Sequence, residues 1–162
     1  GHREIAFVSG PMDSHDNTMR FEGYQDALRH YGIPYQSKWK VYGDFTREGG
    51  YRATKMLIAQ RDLPQAFFYA NDEMAIGGLQ AFKENKISVP NDISIIGYDG
   101  ISLGGLRSVN LTSVAQPLAE LGRLAATRLL ERIETPGGKA HHDHVASEVI
   151  VRGTTGPAPA HP

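Results

Sequence analysis

The chain has 162 residues, 40% hydrophobic and 22% charged, with a net charge of −1, the length and balance of one globular domain with a core of its own. Near-neutrality gives no overall electrostatic footprint for nucleic acid or an acidic membrane surface, and the absence of cysteine removes disulfides and thiolate chemistry. No apolar run of about 18 residues is present to span a bilayer, and Gly1-His2-Arg3-Glu4 is not the start of a secretory signal; a cytoplasmic location with no membrane partner is expected.

Strands and helices alternate. Ile5-Ala6-Phe7-Val8 reads as a buried strand closed by Ser9-Gly10-Pro11. After a polar loop comes a helix over about 18–31, with Phe21, Tyr24, Ala27, Leu28 and Tyr31 at helical spacing. Gly32 stops it, and Pro34 follows. Residues 39–42 form a short strand leading to Gly43-Asp44-Phe45-Thr46, and a second helix covers about 49–60. The third strand is 66–70. Asn71 caps the next helix, 72–84, with Asp72 and Glu73 at the positive end of its dipole. Strands at 93–98 and 111–115 follow. Pro117 suits the first position of a long helix reaching about Glu134. A last strand lies within 145–152, and 153–162 is a Gly/Pro-rich tail expected to be mobile. Strands separated by such helices pair in parallel through right-handed crossovers. The expected architecture is a doubly wound, flavodoxin-like, three-layer α/β sandwich on a mostly parallel sheet.

Side chains just past the carboxyl ends of parallel strands face one crevice, where open α/β sheets bind ligands. The first such turn carries Ser14, His15, Asp16, Asn17 and, one helical turn on, Arg20; the second carries Asp44, Phe45 and Thr46; the third Asn71, Asp72 and Glu73; the fourth Asp99. A guanidinium fork, an amide, carboxylate acceptors and one aromatic face suit a polyhydroxylated or ring-shaped neutral ligand such as a sugar. Each has a plainer alternative. Asn71 serves as a cap alone, Asp99 forms an Asx-turn with Gly100, Arg20 lies on a solvated face or pairs with Asp16 or Glu22, and Phe45 belongs to the core. Their joint position on one rim favours a binding site.

Several segments, in order and over nearly the whole chain, resemble LacI-type transcriptional regulators. They are Gly1 to Pro11, Arg20-Phe21-Glu22-Gly23-Tyr24, Gly43-Asp44-Phe45, Asn71-Asp72-Glu73-Met74-Ala75-Ile76-Gly77, Ile96-Gly97-Tyr98-Asp99, Leu111-Thr112-Ser113-Val114-Ala115-Gln116-Pro117 and Val149-Ile150-Val151-Arg152-Gly153. The resemblance implies a periplasmic-binding-protein-like fold of type I, of which residues 1–155 are the second effector-binding lobe, 116–135 the segment that crosses to a first lobe, and 156–162 a flexible tail. It implies that Arg20 holds the effector, Phe45 packs on it, Asn71 and Asp99 hydrogen-bond it, Ser14 and Asp16 set specificity, and Gln116 lines the cleft. It further implies a carbohydrate effector, a homodimer formed along helix 72–84 through Ile76 and Leu79 and near the fourth strand through residues such as Leu106, and DNA contact only through an N-terminal helix-turn-helix domain that does not precede Gly1. On this reading the chain is part of a longer protein. From sequence alone, Ile76 and Leu79 fit the core of this lobe equally well.

In helix 117–134, Leu118, Leu121, Leu124, Ala125, Leu129, Leu130 and Ile133 form an apolar stripe. Without a first lobe it is expected to dock on the chain's own sheet or on a second chain. His141, His142 and His144 read as a surface loop, so no metal site is expected. A periplasmic-type solute-binding protein of a transporter or chemoreceptor system shares the fold and is the runner-up. An enzyme would need a nucleophile with an oriented base, or a phosphate loop. Ser9, Ser14 and His15 have no third member to orient them, and Gly49-Gly50 and Gly104-Gly105 fit no nucleotide pattern. No catalytic residue and no cofactor are expected.

Overall fold

In the computed structural model, which describes residues 1–60 and 62–158, the predicted alternation appears as β1 (Ile5–Ser9), α1 (His15–His30), β2 (Lys40–Tyr42), α2 (Arg47–Ala59), β3 (Ala66–Tyr69), α3 (Asp72–Glu84), β4 (Ser94–Asp99), β5 (Thr112–Ala115), α4 (Leu118–Glu134) and β6 (Glu148–Ile150). The strands form one sheet in the order β2-β1-β3-β4-β5-β6. All neighbours pair in parallel except β5 and β6, which are antiparallel. The chain moves from β1 outward to β2 and then back across to β3, so the strand order reverses at β1, where doubly wound sheets open a crevice.

Alternation along the strands assigns the two faces. Phe7 on β1 packs against Phe21 and Tyr24 of α1, with ring centroids 5.2 and 5.3 Å apart, and against Phe68 of β3 at 5.3 Å. On the opposite face Phe67 meets Phe82 of α3 at 5.0 Å, and the Tyr69 hydroxyl lies 2.7 Å from Thr54 Oγ1 of α2. One helix thus covers one face and two helices the other, the expected three layers. The close contact of α2 with α3 depends on glycine. A Cβ on Gly50 would lie 2.2 Å from Met74 O, and one on Gly77 would lie 2.0 Å from Arg47 O.

Several boundaries differ from the pattern reading, and caps explain them. α1 starts at His15 because Ser14 Oγ accepts from Asn17 N, and α2 starts at Arg47 because Thr46 Oγ1 accepts from Gly49 N. α1 ends as predicted at Gly32 (φ +61°). Gly32 N donates to Arg29 O and Ile33 N to Leu28 O, the pair of bonds of a Schellman motif. Pro117 caps α4 instead of starting it. The Gly/Pro-rich tail is tied down where it meets the sheet. Thr154 Oγ1 donates to Ile95 O and accepts from Thr112 N, and Gly156 N donates to Ser94 Oγ. Of the predicted tail, residues 159–162 lie outside the described residues.

The expectation that α4 docks on the chain's own sheet is not met, since no residue of α4 is buried. Leu118, Leu121, Leu129, Leu130 and Ile133 stay exposed, and the sheet face beside α1 keeps an open hollow of about 570 Å³ lined by Ile5, Phe68, Ile96, Tyr98 and Val114. No described helix is long and apolar enough to cross a membrane.

Candidate functional site

The rim is assembled from the carboxyl ends of β1, β3 and β4 and from the start of the segment after β5. Arg20 stands on the side of α1 that faces the sheet. Its Nη1 donates to Ala70 O at the end of β3, its Nη2 to Asp99 Oδ1 at 3.1 Å, and its guanidinium carbon lies 4.1 Å from the centroid of the Tyr98 ring. Gln116 Nε2 donates to the same Asp99 oxygen at 2.8 Å. Arg20, Asp99 and Gln116 therefore form one cluster around Oδ1. The ion pair is substantially shielded, with side-chain exposures of 12% for Arg20 and 28% for Asp99.

Burial is the main influence on Asp99 and pushes its carboxyl above the ordinary 3.8; Arg20 and Gln116 pull in the opposite direction, and the Asp16 charge adds to the upward push. That places Asp16, itself exposed on the first turn of α1, within electrostatic reach of Asp99. The backbone of Asp99 has φ +110°, in the left-handed half of conformational space where non-glycine residues are rare.

Asn71 and Phe45 form the other part of the rim. Asn71 Oδ1 caps α3 by accepting from Met74 N at 2.9 Å, and Asn71 Nδ2 donates to Phe45 O at 2.9 Å. Asn71 thus caps its helix as predicted and also holds the β2–α2 loop. That loop needs holding, because Phe45 sits at φ +65°, a conformation costing roughly 1–3 kcal/mol for a residue with a Cβ. The Phe45 ring lies close against Gly10, where a Cβ would meet it at 2.3 Å. Phe45 is half-buried and packs against the edge of the hydrophobic core.

Other rim residues have structural duties. Ser14 caps α1. Asp44 accepts from Thr46 N, Thr46 Oγ1 and Arg52 Nη2 at 3.0, 2.5 and 2.8 Å, which holds its carboxyl below the ordinary range. Glu73 pairs with Arg47 on the surface. Among the expected interface residues, Ile76 and Leu79 pack partly buried against the core, while Leu106 is 51% exposed. No cluster of three or more acidic, histidine or cysteine side chains among the described residues is placed to hold a metal ion.

Two residues named in the sequence shape the site in ways the sequence does not assign them. Tyr98 supplies the face under Arg20, and period-two alternation from Phe68 and Ile96 could have placed it there. Asn17 is buried and its Oδ1 accepts from Gly10 N at 2.7 Å and Ser9 Oγ at 3.0 Å, which fixes the loop after β1. No sequence signal distinguishes it from a solvated helix residue.

The periplasmic binding protein-like domain model matches residues 1–155. The ribose operon repressor of Escherichia coli strain K12 is 40% identical over 136 residues, 84% of this chain and 41% of that protein. The HTH-type transcriptional repressor PurR of Photorhabdus laumondii is 39% identical over 133 residues, 82% of this chain and 39% of that protein. The crystal structure of a LacI family transcriptional regulator from Enterococcus faecium with bound ribose superposes with a TM-score of 0.87 at 34% identity, over 98% of this chain and 59% of that one. The chain spans about two fifths of the length of these curated relatives. It belongs to the periplasmic binding protein-like domain family, with LacI-type transcriptional regulators as its relatives in both sequence and structure.

Proposed function

We propose that this lobe binds a small neutral sugar as the effector of a LacI-type repressor, in a cleft closed by a second lobe of the full-length protein. The observation that carries the reading is the Arg20–Asp99–Gln116 cluster at the strand ends. Both donors converge on Asp99 Oδ1, so the second carboxylate oxygen is available to accept ligand hydroxyls. Arg20 presents a fork, and Asn71 keeps a second amide hydrogen beyond the one given to Phe45. The Phe45 ring covers a sugar's apolar face. The ribose in the Enterococcus faecium neighbour is a ligand of this chemistry.

An effector touching both lobes favours the closed arrangement by its differential contacts and so shifts the population competent to hold DNA. The whole protein is read as a cytoplasmic homodimer joined along α3 through Ile76 and Leu79 and, after β4, through Leu106, with its DNA contacts outside these 162 residues. Ser14 and Asp16 are read as specificity positions. Calorimetric titration of the full-length protein with D-ribose and other neutral sugars tests this. Saturable binding of at least one sugar, weakened by substitutions at Arg20 and Asp99, is expected; tight binding of a purine base or an amino acid with no response to any sugar overturns the sugar assignment.

A further inference from the structure

Asp72, expected on the rim from its place after the third strand, is instead fully buried and carries the least solvated carboxylate in the described structure; both its oxygens are engaged within the fold. Burying an ionised carboxylate is costly unless it is fully engaged. Its Oδ1 accepts from Ser113 Oγ at 2.6 Å and its Oδ2 from Ile101 N at 2.9 Å. With its hydrogen given to Asp72, Ser113 Oγ accepts from Gly100 N at 3.1 Å. Asp72 therefore holds the two amides that follow Asp99, one directly and one through a hydroxyl.

Those amides lie where the chain is most constrained. Asp99 and Gly100 are consecutive at φ +110° and +71°, and such backbone persists only where its surroundings over-determine it. Space for the carboxylate is also built in. A Cβ on Gly97 would sit 2.1 Å from Asp72 Oδ1, so glycine in β4 is what admits it. We propose that Asp72 is a positioning residue of the effector site, which clamps the Asp99–Gly100–Ile101 turn through Ser113 and so aims the Asp99 carboxylate at the ligand. Neighbouring residues at the start of α3 then divide the work: Asn71 faces the rim and Asp72 holds the opposite rim in register. The part concerning ligand rests on the sugar-binding reading; the clamp itself does not.

The test uses the full-length protein with Asp72→Asn and Ser113→Ala, the second being the gentler variant should the first fold poorly. D-ribose is titrated by calorimetry, where the stoichiometry reports the folded fraction and Kd the quality of the site. Amide exchange at Gly100 and Ile101 is followed by NMR. Each variant is expected to raise the ribose Kd about tenfold, the worth of one hydrogen bond to a charged group, with stoichiometry unchanged. The double variant is expected to be little worse than either single one, because the two act as one unit. Exchange at Gly100 and Ile101 should accelerate at least tenfold while β1 and β3 keep their protection. An unchanged Kd in folded variants overturns the positioning role, and exchange that rises uniformly or not at all overturns the clamp. If the unsubstituted protein does not bind ribose, the ribose assignment fails and the exchange measurement alone decides the clamp.

Discussion

Arg20 and Asp99 are 79 residues apart in sequence and meet at 3.1 Å. The same guanidinium reaches Ala70 O and lies over Tyr98, so α1, β3 and β4 are joined at one point on the rim. Lysine cannot reproduce this, since a single ammonium has neither the fork nor the flat face. Arg20→Lys is expected to weaken sugar binding by about 1–3 kcal/mol, read by calorimetry. An affinity within twofold of the unsubstituted protein would show that the fork is not used for ligand.

Asp99→Asn separates affinity from stability. Asparagine preserves shape and tolerates positive φ, but it loses the charge that Arg20 and Gln116 face. Sugar affinity should fall at least tenfold, while the melting temperature stays level or rises because the cost of burying a carboxylate is gone. A drop in melting temperature comparable to that of a core truncation would argue that the pair serves mainly to hold the fold.

The pH response of the site follows from the direction of the Asp99 shift. Burial raises its folded pKa above 3.8, so on acidification the folded chain takes up this proton before the unfolded chain does. The group's burial penalty is present at neutral pH and is relieved as pH falls through the folded value toward the unfolded one. Binding has the opposite dependence, because the protonated group loses its pairing with Arg20. Sugar affinity is therefore expected to decline on acidification with a midpoint above 3.8, and Asp99→Asn should abolish that step. A profile that breaks only below 3.8 would contradict the burial argument.

The α2–α3 contact makes glycine position decisive. Gly50→Ala places a methyl against the Met74 backbone and is expected to lower stability by about 1–3 kcal/mol, seen as a lower urea midpoint. Gly23→Ala in α1 has nothing within 4 Å and should stabilise by about 0.5–1 kcal/mol. Equal effects at the two positions would refute the close-approach explanation.

The exposed stripe of α4 predicts concentration-dependent association of a chain of these 162 residues. Replacing Leu129 and Ile133 by lysine should suppress it, as measured by sedimentation. Sedimentation as a monomer at all concentrations, with or without the lysines, would mean that the stripe attracts nothing.

Much of the fold was legible because its signals are local. Apolar runs such as Ile5 to Val8 mark buried strands, Gly32 marks a helix end, and Asn71 marks a helix start. The helices begin at His15 and Arg47, earlier than the apolar period indicates, because the polar residues after the Ser14 and Thr46 caps mask its onset. In the site, Asn71 and Asp99 could be placed on one rim from strand ends, and Arg20 from its place one turn into the helix after the first strand. What alternation and spacing do not convey is which polar group turns inward. Asn17, Ser113 and Asp72 are ordinary polar residues in sequence, and only their burial against specific partners gives them work. The place of α4 was not legible either, since an amphipathic stripe states that a surface is needed but not which one.

Asn71 spends its oxygen on the α3 cap and one amide hydrogen on the Phe45 carbonyl, and this limits how the position can change. A substitution there disturbs the α3 cap and the strained loop together, along with the ligand contact proposed above; aspartate, serine and threonine can all cap a helix, but none of them carries the amide donor given to Phe45 O. Ser14 is similarly bound to its own helix. On the proposed sugar-binding reading, a lineage exploring new effectors therefore has little freedom at Asn71, and of the two proposed specificity positions less at Ser14 than at Asp16. Change is channelled to exposed residues of the loop after β1 and the first turn of α1, Met12, Asp13 and Asp16, where a new side chain disturbs no cap and no buried bond.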